Sequence, residues 1–219
     1  MKRFIALLLA LLLCSAAGTS MAAGFDTKVF EDSNWKVTID DMEQRGFIDS
    51  RDVMSADMSY QPEYIYSDSM IGGDCRRIRV TPDVYLGKYG TSKFVPYPRI
   101  WLDMHSKYNI YGWMMVQSVI IKVGDMTCTF EGNTFGNTTD SKSWYYGSGW
   151  TTEKMVCVCT DTEFMDAWIE STGPVKVRLK GSKGQLDFNL PSGSVREIKE
   201  MFQCFRDAGG YSYFNGVTN

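Results

Sequence analysis

The sequence predicts an α+β fold, built from mostly antiparallel sheet or sheets with two helices in the C-terminal third packed against the sheet. Three observations carry this expectation. Apolar and polar residues alternate with period two over much of the chain. Helical start signals followed by helical spacing occur only after residue 160. The regular strand and helix alternation of a parallel doubly wound sheet is missing.

Taken in order, Trp35, Val37 and Ile39 fall on one face of a first strand, and Ile78 and Val80 on one face of another that begins near Arg76. Between them, residues 40–60 hold Asp40, Asp41, Glu43, Arg45, Asp49, Arg51, Asp52 and Asp57 among few large apolar groups, which predicts a surface excursion or short helix. Residues 99–104 and 118–123 read as longer strands. Val119, Ile121 and Val123 alternate up to Gly124-Asp125, and Met126, Cys128 and Phe130 alternate after it, so a two-residue turn closes a hairpin. A further strand covers Met155 to Thr160. Thr160-Asp161-Thr162-Glu163 has the form of a capping box, with the Thr160 hydroxyl expected to cap a helix carrying Phe164 and Trp168 on one face. Gly173-Pro174 ends it. Val175, Val177 and Leu179 then pair through Gly181 to Gly184 with Leu186, Phe188 and Leu190, and Ser194-Val195-Arg196-Glu197 repeats the capping pattern for a last helix. Gly209 stops that helix. Phe164, Trp168, Ile198, Phe202 and Phe205 are the expected core.

The chain has 219 residues, with 23 Lys and Arg against 26 Asp and Glu. A formal charge of -3 supplies no overall basic field, which argues against nucleic acid as a partner. Lys2 and Arg3, the apolar run Phe4 to Cys14, and the small and polar stretch Ser15 to Ala23 follow one another in the order of a cleavable secretory signal peptide. The expected organisation is therefore a signal peptide over 1–23 and a single α+β domain over 24–219. The run is too short to span a bilayer, which needs roughly 20 residues, so no integral membrane segment is expected after cleavage. Leu13 precedes Cys14 where a lipoprotein signal places a small residue. The expected location is secreted or periplasmic, in a bacterial cell envelope. Export permits disulfides among Cys75, Cys128, Cys157, Cys159 and Cys204, an odd number whose connectivity the sequence leaves open.

Candidate chemistry is sparse. His105 is the only imidazole, and on a strand it would share a face with Asp103, with no nucleophile placed beside it. Cys157-Val158-Cys159 lacks the spacing of a redox pair and the extra donors of a zinc site, so it reads as structural. Cys75, before Arg76 and Arg77 and after Gly72-Gly73-Asp74, is a conceivable nucleophile. The methionines show no repeated spacing that selects copper. No metal or cofactor is expected. Asn137-Thr138-Thr139 matches a short glycosylation sequon. The most suggestive segment is Ser141 to Trp150, where Trp144, Tyr145, Tyr146 and Trp150 stand among small residues. Flat rings with polar edges suit stacking on sugars or anchoring of protein contacts; Tyr60, Tyr64, Tyr66, Tyr211, Tyr213 and Phe214 would extend such a surface. The expected function is a non-enzymatic binding protein that recognises a macromolecule or glycan through aromatic loops. The competing readings are a secreted hydrolase using carboxylates or Cys75, and a structural component of the cell envelope.

Overall fold

A computed structural model describes residues 24–40, 42–43, 45–50, 75–89, 93–107, 116–131, 150–182 and 184–214. It has two sheets and every strand pairing is antiparallel. After a short helix α1 (Lys28–Asp32) come β1 (Trp35–Asp40), β2 (Arg45–Ser50), β3 (Cys75–Tyr89) and β4 (Lys93–Lys107). Then follow β5 (Val116–Val123), β6 (Met126–Glu131), β7 (Trp150–Val158), α2 (Thr162–Glu170), β8 (Val175–Gly181), β9 (Gly184–Asn189), α3 (Ser192–Asp207) and a 3-10 turn, Gly210–Tyr213. The five-stranded sheet runs β1-β2-β3-β4-β7 and the four-stranded sheet β6-β5-β8-β9. The α+β expectation holds, with α2 and α3 both in the last third of the chain.

The helices connect the two sheets. Helix α3 packs on β3 and β4, α2 packs on β5 and β6, and the two helices pack on each other. Phe164, Trp168, Ile198, Phe202 and Phe205 are all fully buried, as expected. Phe130, Phe164, Trp168 and Phe202 form a chain of edge-to-face rings with centroid separations of 6.0, 6.3 and 5.9 Å. Such a chain uses the ring quadrupoles as well as the buried area. Buried apolar side chains from both sheets and all three helices belong to one contiguous cluster. No helix among the described residues is long and apolar enough to cross a membrane, which says nothing of strand-built spans.

Four local expectations need correction. Residues 45–50, read as an excursion, form β2, because Ile48 is fully buried while Arg45, Phe47 and Asp49 face the other way. Polar residues on the outer face hid the alternation; residues 51–60 lie outside the described set. Helix α2 is capped by Asp161 rather than Thr160: its carboxylate accepts from the backbone N–H groups of Glu163 and Phe164 at 3.0 and 3.1 Å. Helix α3 begins at Ser192, before the Ser194 box, with Pro191 at the cap and Ser194 buried. Pro at a cap fixes φ and lacks a donor that the helix start would leave orphaned. Helix α1 was not anticipated, since five residues are too few for a helical period; its Phe30 is fully buried against Trp35, 6.0 Å between centroids.

Three prolines lie in the long β3–β4 hairpin, where a sheet interior normally excludes them. Pro82 lies just beyond the last β2 partner of β3, and Pro96 and Pro98 precede the first β7 partner of β4. Each therefore sits where a ladder exists on one side only, and its missing N–H costs nothing. The last paired positions beside them are Asp83 and Arg99, on the outer face of the sheet.

Candidate functional site

The outer face of the five-stranded sheet is organised in transverse rows. Side chains directly opposite across antiparallel strands stand about 4.5–5.5 Å apart at Cβ. One row is charged: Lys36, Asp49, Asp83 and Arg99 are successive cross-strand partners on β1, β2, β3 and β4. The next row is Thr38, Phe47, Tyr85 and Tyr97. On the other side of the charged row come Thr81 and Trp101, partnered by Val156 of β7, then Arg79, Asp103 and Lys154. Aromatic and charged rows thus alternate.

Arg99 is the centre of this face. Its Nε donates to Asp83 Oδ1 at 2.8 Å and its Nη2 donates to Asp83 Oδ2, a bidentate pair that fixes the guanidinium plane. The plane lies over Tyr85, Trp101 and Phe47, with 4.8, 5.0 and 5.8 Å from Cζ to the ring centroids. Tyr85 is itself 5.2 Å from Phe47 and 5.2 Å from Tyr97. Cation and rings hold one another in place. Gly87 makes this arrangement possible: a Cβ there would lie 2.1 Å from Cε1 of Tyr85, so only glycine lets the ring lie down on β3. The four rings are half-buried, and each keeps part of its surface toward solvent.

Asp49 is the odd group. It faces Asp83 directly, and among the described residues its carboxylate accepts no hydrogen bond. Burial pushes its pKa up, the Asp83 charge pushes it further, and Arg99 and Lys36 pull it back only in part. Two carboxylates side by side thus differ in role: Asp83 has both oxygens held by Arg99, while Asp49 has no hydrogen-bond donor among the described residues. Two further atoms on this face are buried without hydrogen bonds, Arg79 Nε and Asp103 Oδ1; Lys154 Nζ is 3.8 Å from the latter, beyond hydrogen-bond reach. Buried polar atoms normally have partners.

No model of a known protein family, no characterised protein and no solved structure matches the chain. The face must be read from its own chemistry.

The residues singled out from sequence fall elsewhere. Trp144, Tyr145 and Tyr146, the sequon at Asn137, and Tyr60, Tyr64 and Tyr66 lie outside the described residues. Trp150 is the first residue of β7 and pairs with Lys107 at the far end of β4. Ten residues of extended strand separate Lys107 from Tyr97, roughly 33 Å, so the expected aromatic loop rejoins the sheet at the end opposite the aromatic row. His105 is opposite Arg77 and Thr152 in register, and its side chain, like that of Cys75 at the start of β3, is outside the described set. Cys128, Cys157, Cys159 and Cys204 are thiols in this structure. Burial raises the Cys128 thiol to about 11 and those of Cys157 and Cys159 well above the usual range, so none of these three is poised as a thiolate. Among the described residues no group of three or more His, Cys, Asp or Glu side chains is placed to hold a metal ion. Tyr211 belongs to the helical layer, where it donates to Asp166 at 2.8 Å.

Sequence reasoning missed Phe47, Asp49, Asp83, Tyr85, Tyr97, Arg99 and Trp101 as a set. The available signal was the outer register of β3 and β4: Asp83 and Tyr85 alternate with Val84 and Leu86, and Tyr97, Arg99 and Trp101 with Pro98 and Ile100. Aromatic and charged residues at the positions a strand turns away from its core point to a worked surface.

Proposed function

We propose that the chain is an exported, non-enzymatic binding protein that takes a glycan on the outer face of its five-stranded sheet. The observation that carries this reading is the row Phe47, Tyr85 and Tyr97 lying beside Asp49, a half-buried carboxylate without a hydrogen-bond donor among the described residues. A sugar ring offers what such a surface lacks: C–H faces for the rings and hydroxyl donors for the carboxylate. Arg99 and Asp83 supply rigidity, so the rings need little ordering on binding. The aromatic residues Trp144, Tyr145, Tyr146 and Trp150 belong to the same proposal as a second contact.

The test is retention of the full chain on a panel of immobilised neutral polysaccharides. Tyr97→Ala is expected to weaken binding by about tenfold, about 1.4 kcal/mol, with a folded protein by circular dichroism. Equal binding by Tyr97→Ala and by Trp101→Ala would remove the face from the proposal.

A second reading rests on the Asp49 and Asp83 pair. Cross-strand neighbours whose environments differ are one way to build an acid and a charged partner for glycoside hydrolysis. Arg99 occupies both oxygens of Asp83, so Asp49 alone could exchange a proton. Asp49→Asn separates the readings: loss of polysaccharide cleavage with binding retained favours a hydrolase, whereas an absence of cleavage in the wild-type chain leaves binding.

A further inference from the structure

The four-stranded sheet also has an outer face, and its chemistry is different. Lys122 of β5 is directly opposite Lys176 of β8, with Thr127 of β6 on the other side of Lys122 and Asn189 of β9 on the other side of Lys176. Two residues along β8 stands Arg178, partnered by Ile120 and Asp187, and two further stands Lys180, partnered by Ser118 and Gln185. All four cations are exposed. Arg178 is committed to Asp187 through bonds of 2.6 and 2.5 Å, which hold the Asp187 carboxyl below the usual carboxylate range. Lys122, Lys176 and Lys180 form no ion pair and no hydrogen bond among the described residues. Adjacent strands are about 4.8 Å apart and alternate residues about 7 Å apart along a strand. Lys122 and Lys176 are therefore one strand spacing apart and Lys180 is about 13 Å along β8 from Lys176, three unpaired ammonium groups on one face of a chain whose formal charge is -3.

Like charges directly opposite in a sheet destabilise it. An external anion removes that cost, so the face is complementary to a ligand with closely repeated negative charges. A shallow groove of about 500 Å³ runs over it, lined by Ile120, Lys122, Thr127, Lys176, Arg178 and Asn189 among others. The Thr hydroxyl and Asn amide suit sugar hydroxyls, and Ile120 provides an apolar floor for a ring. We propose that this groove binds an acidic polysaccharide, one bearing sulfate or carboxylate groups along the chain. Lys122 and Lys176 bridge neighbouring anionic groups, and Lys180 extends the contact along β8. The proposal is independent of the aromatic face, because it uses a different sheet and different residues.

The experiment measures binding of the full chain to dextran sulfate, with uncharged dextran and vesicles of phosphatidylglycerol as parallel arms. The wild-type chain is expected to bind dextran sulfate, to release it as salt rises from about 0.05 to about 0.5 M, and to ignore dextran. The double variant Lys122→Gln with Lys176→Gln is expected to lose affinity by about tenfold or more, with its thermal midpoint unchanged or raised. A control that removes the same charge elsewhere, Lys28→Gln with Arg196→Gln, is expected to keep wild-type affinity. The proposal is overturned by an absence of dextran sulfate binding at low salt, by equal losses in the two double variants, or by binding of the vesicles alone, which would assign the face to a membrane surface.

Discussion

The same ion pair occurs on both sheets, in two settings. Arg99 and Asp83 on the five-stranded sheet, and Arg178 and Asp187 on the four-stranded sheet, are each cross-strand neighbours in which Nε and Nη2 donate to the two carboxylate oxygens. The first pair has side chains 13% and 10% exposed, the second 44% and 46%. The rings of Phe47, Tyr85 and Trp101 surround Arg99, whereas Ile120 and Asp187 flank Arg178 across the strands and Lys176 and Lys180 along its own. Geometry alone therefore does not set what a salt bridge contributes. Where rings exclude water, each charge depends on its partner; where water reaches both, solvation replaces the partner.

The largest expected effect comes from breaking the sheltered pair. Asp83→Ala leaves the Arg99 guanidinium desolvated and unmatched, and is expected to lower stability by about 3 kcal/mol, the lower end for a buried pair because the ring faces still attract the cation. Urea unfolding checks it, and a loss below about 1 kcal/mol would place the pair in the same class as an exposed one.

Asp49→Asn sharpens the comparison with an opposite sign. The folded pKa of Asp49 is raised above its unfolded value, so its contribution to stability is fully present below the unfolded pKa and is lost as pH rises through the folded one. At neutral pH the ionised carboxylate is therefore a net burden. Replacement by Asn is expected to raise the thermal midpoint there, with the gain shrinking as the pH is brought below the ordinary aspartate range. A gain independent of pH would mean that shape rather than charge is responsible.

The smallest effect belongs to the exposed pair. Asp187→Asn is expected to change stability by under about 1 kcal/mol, and added salt should reduce the difference. Its informative readout is elsewhere. Freeing Arg178 adds an unpaired cation to the groove, so affinity for dextran sulfate is expected to increase.

Much of the strand framework was legible because period-two alternation reports directly which side chains a sheet buries. Val119, Ile121 and Val123, with Val175, Val177 and Leu179, show this most clearly, and all are buried. The helix stripe of Ile198, Phe202 and Phe205 was legible for the same reason at a different period. Strand β2 was not, since Ile48 is the one large apolar residue at its alternate positions 46, 48 and 50, and glycine carries no hydropathy signal. Gly46 is there because a Cβ would come within 2.9 Å of the Thr38 carbonyl oxygen, a constraint that exists only once β1 lies alongside.

Charge followed the same division. Composition placed the whole chain near neutrality and argued against polyanions, yet Lys122, Lys176 and Lys180 come from two strands separated by more than fifty residues and meet only through the β5–β8 pairing.

The sequence by itself determined the class of fold, the aromatic residues that the two long helices bury and the approximate position of those helices, because each is a local pattern of side chains along a strand or helix. Only the tertiary structure decided which outward residues become neighbours. Register across strands brings Asp49 to Asp83, Asp83 to Arg99 and Lys122 to Lys176, and that register is fixed by burial on the opposite face, where none of these charges lies.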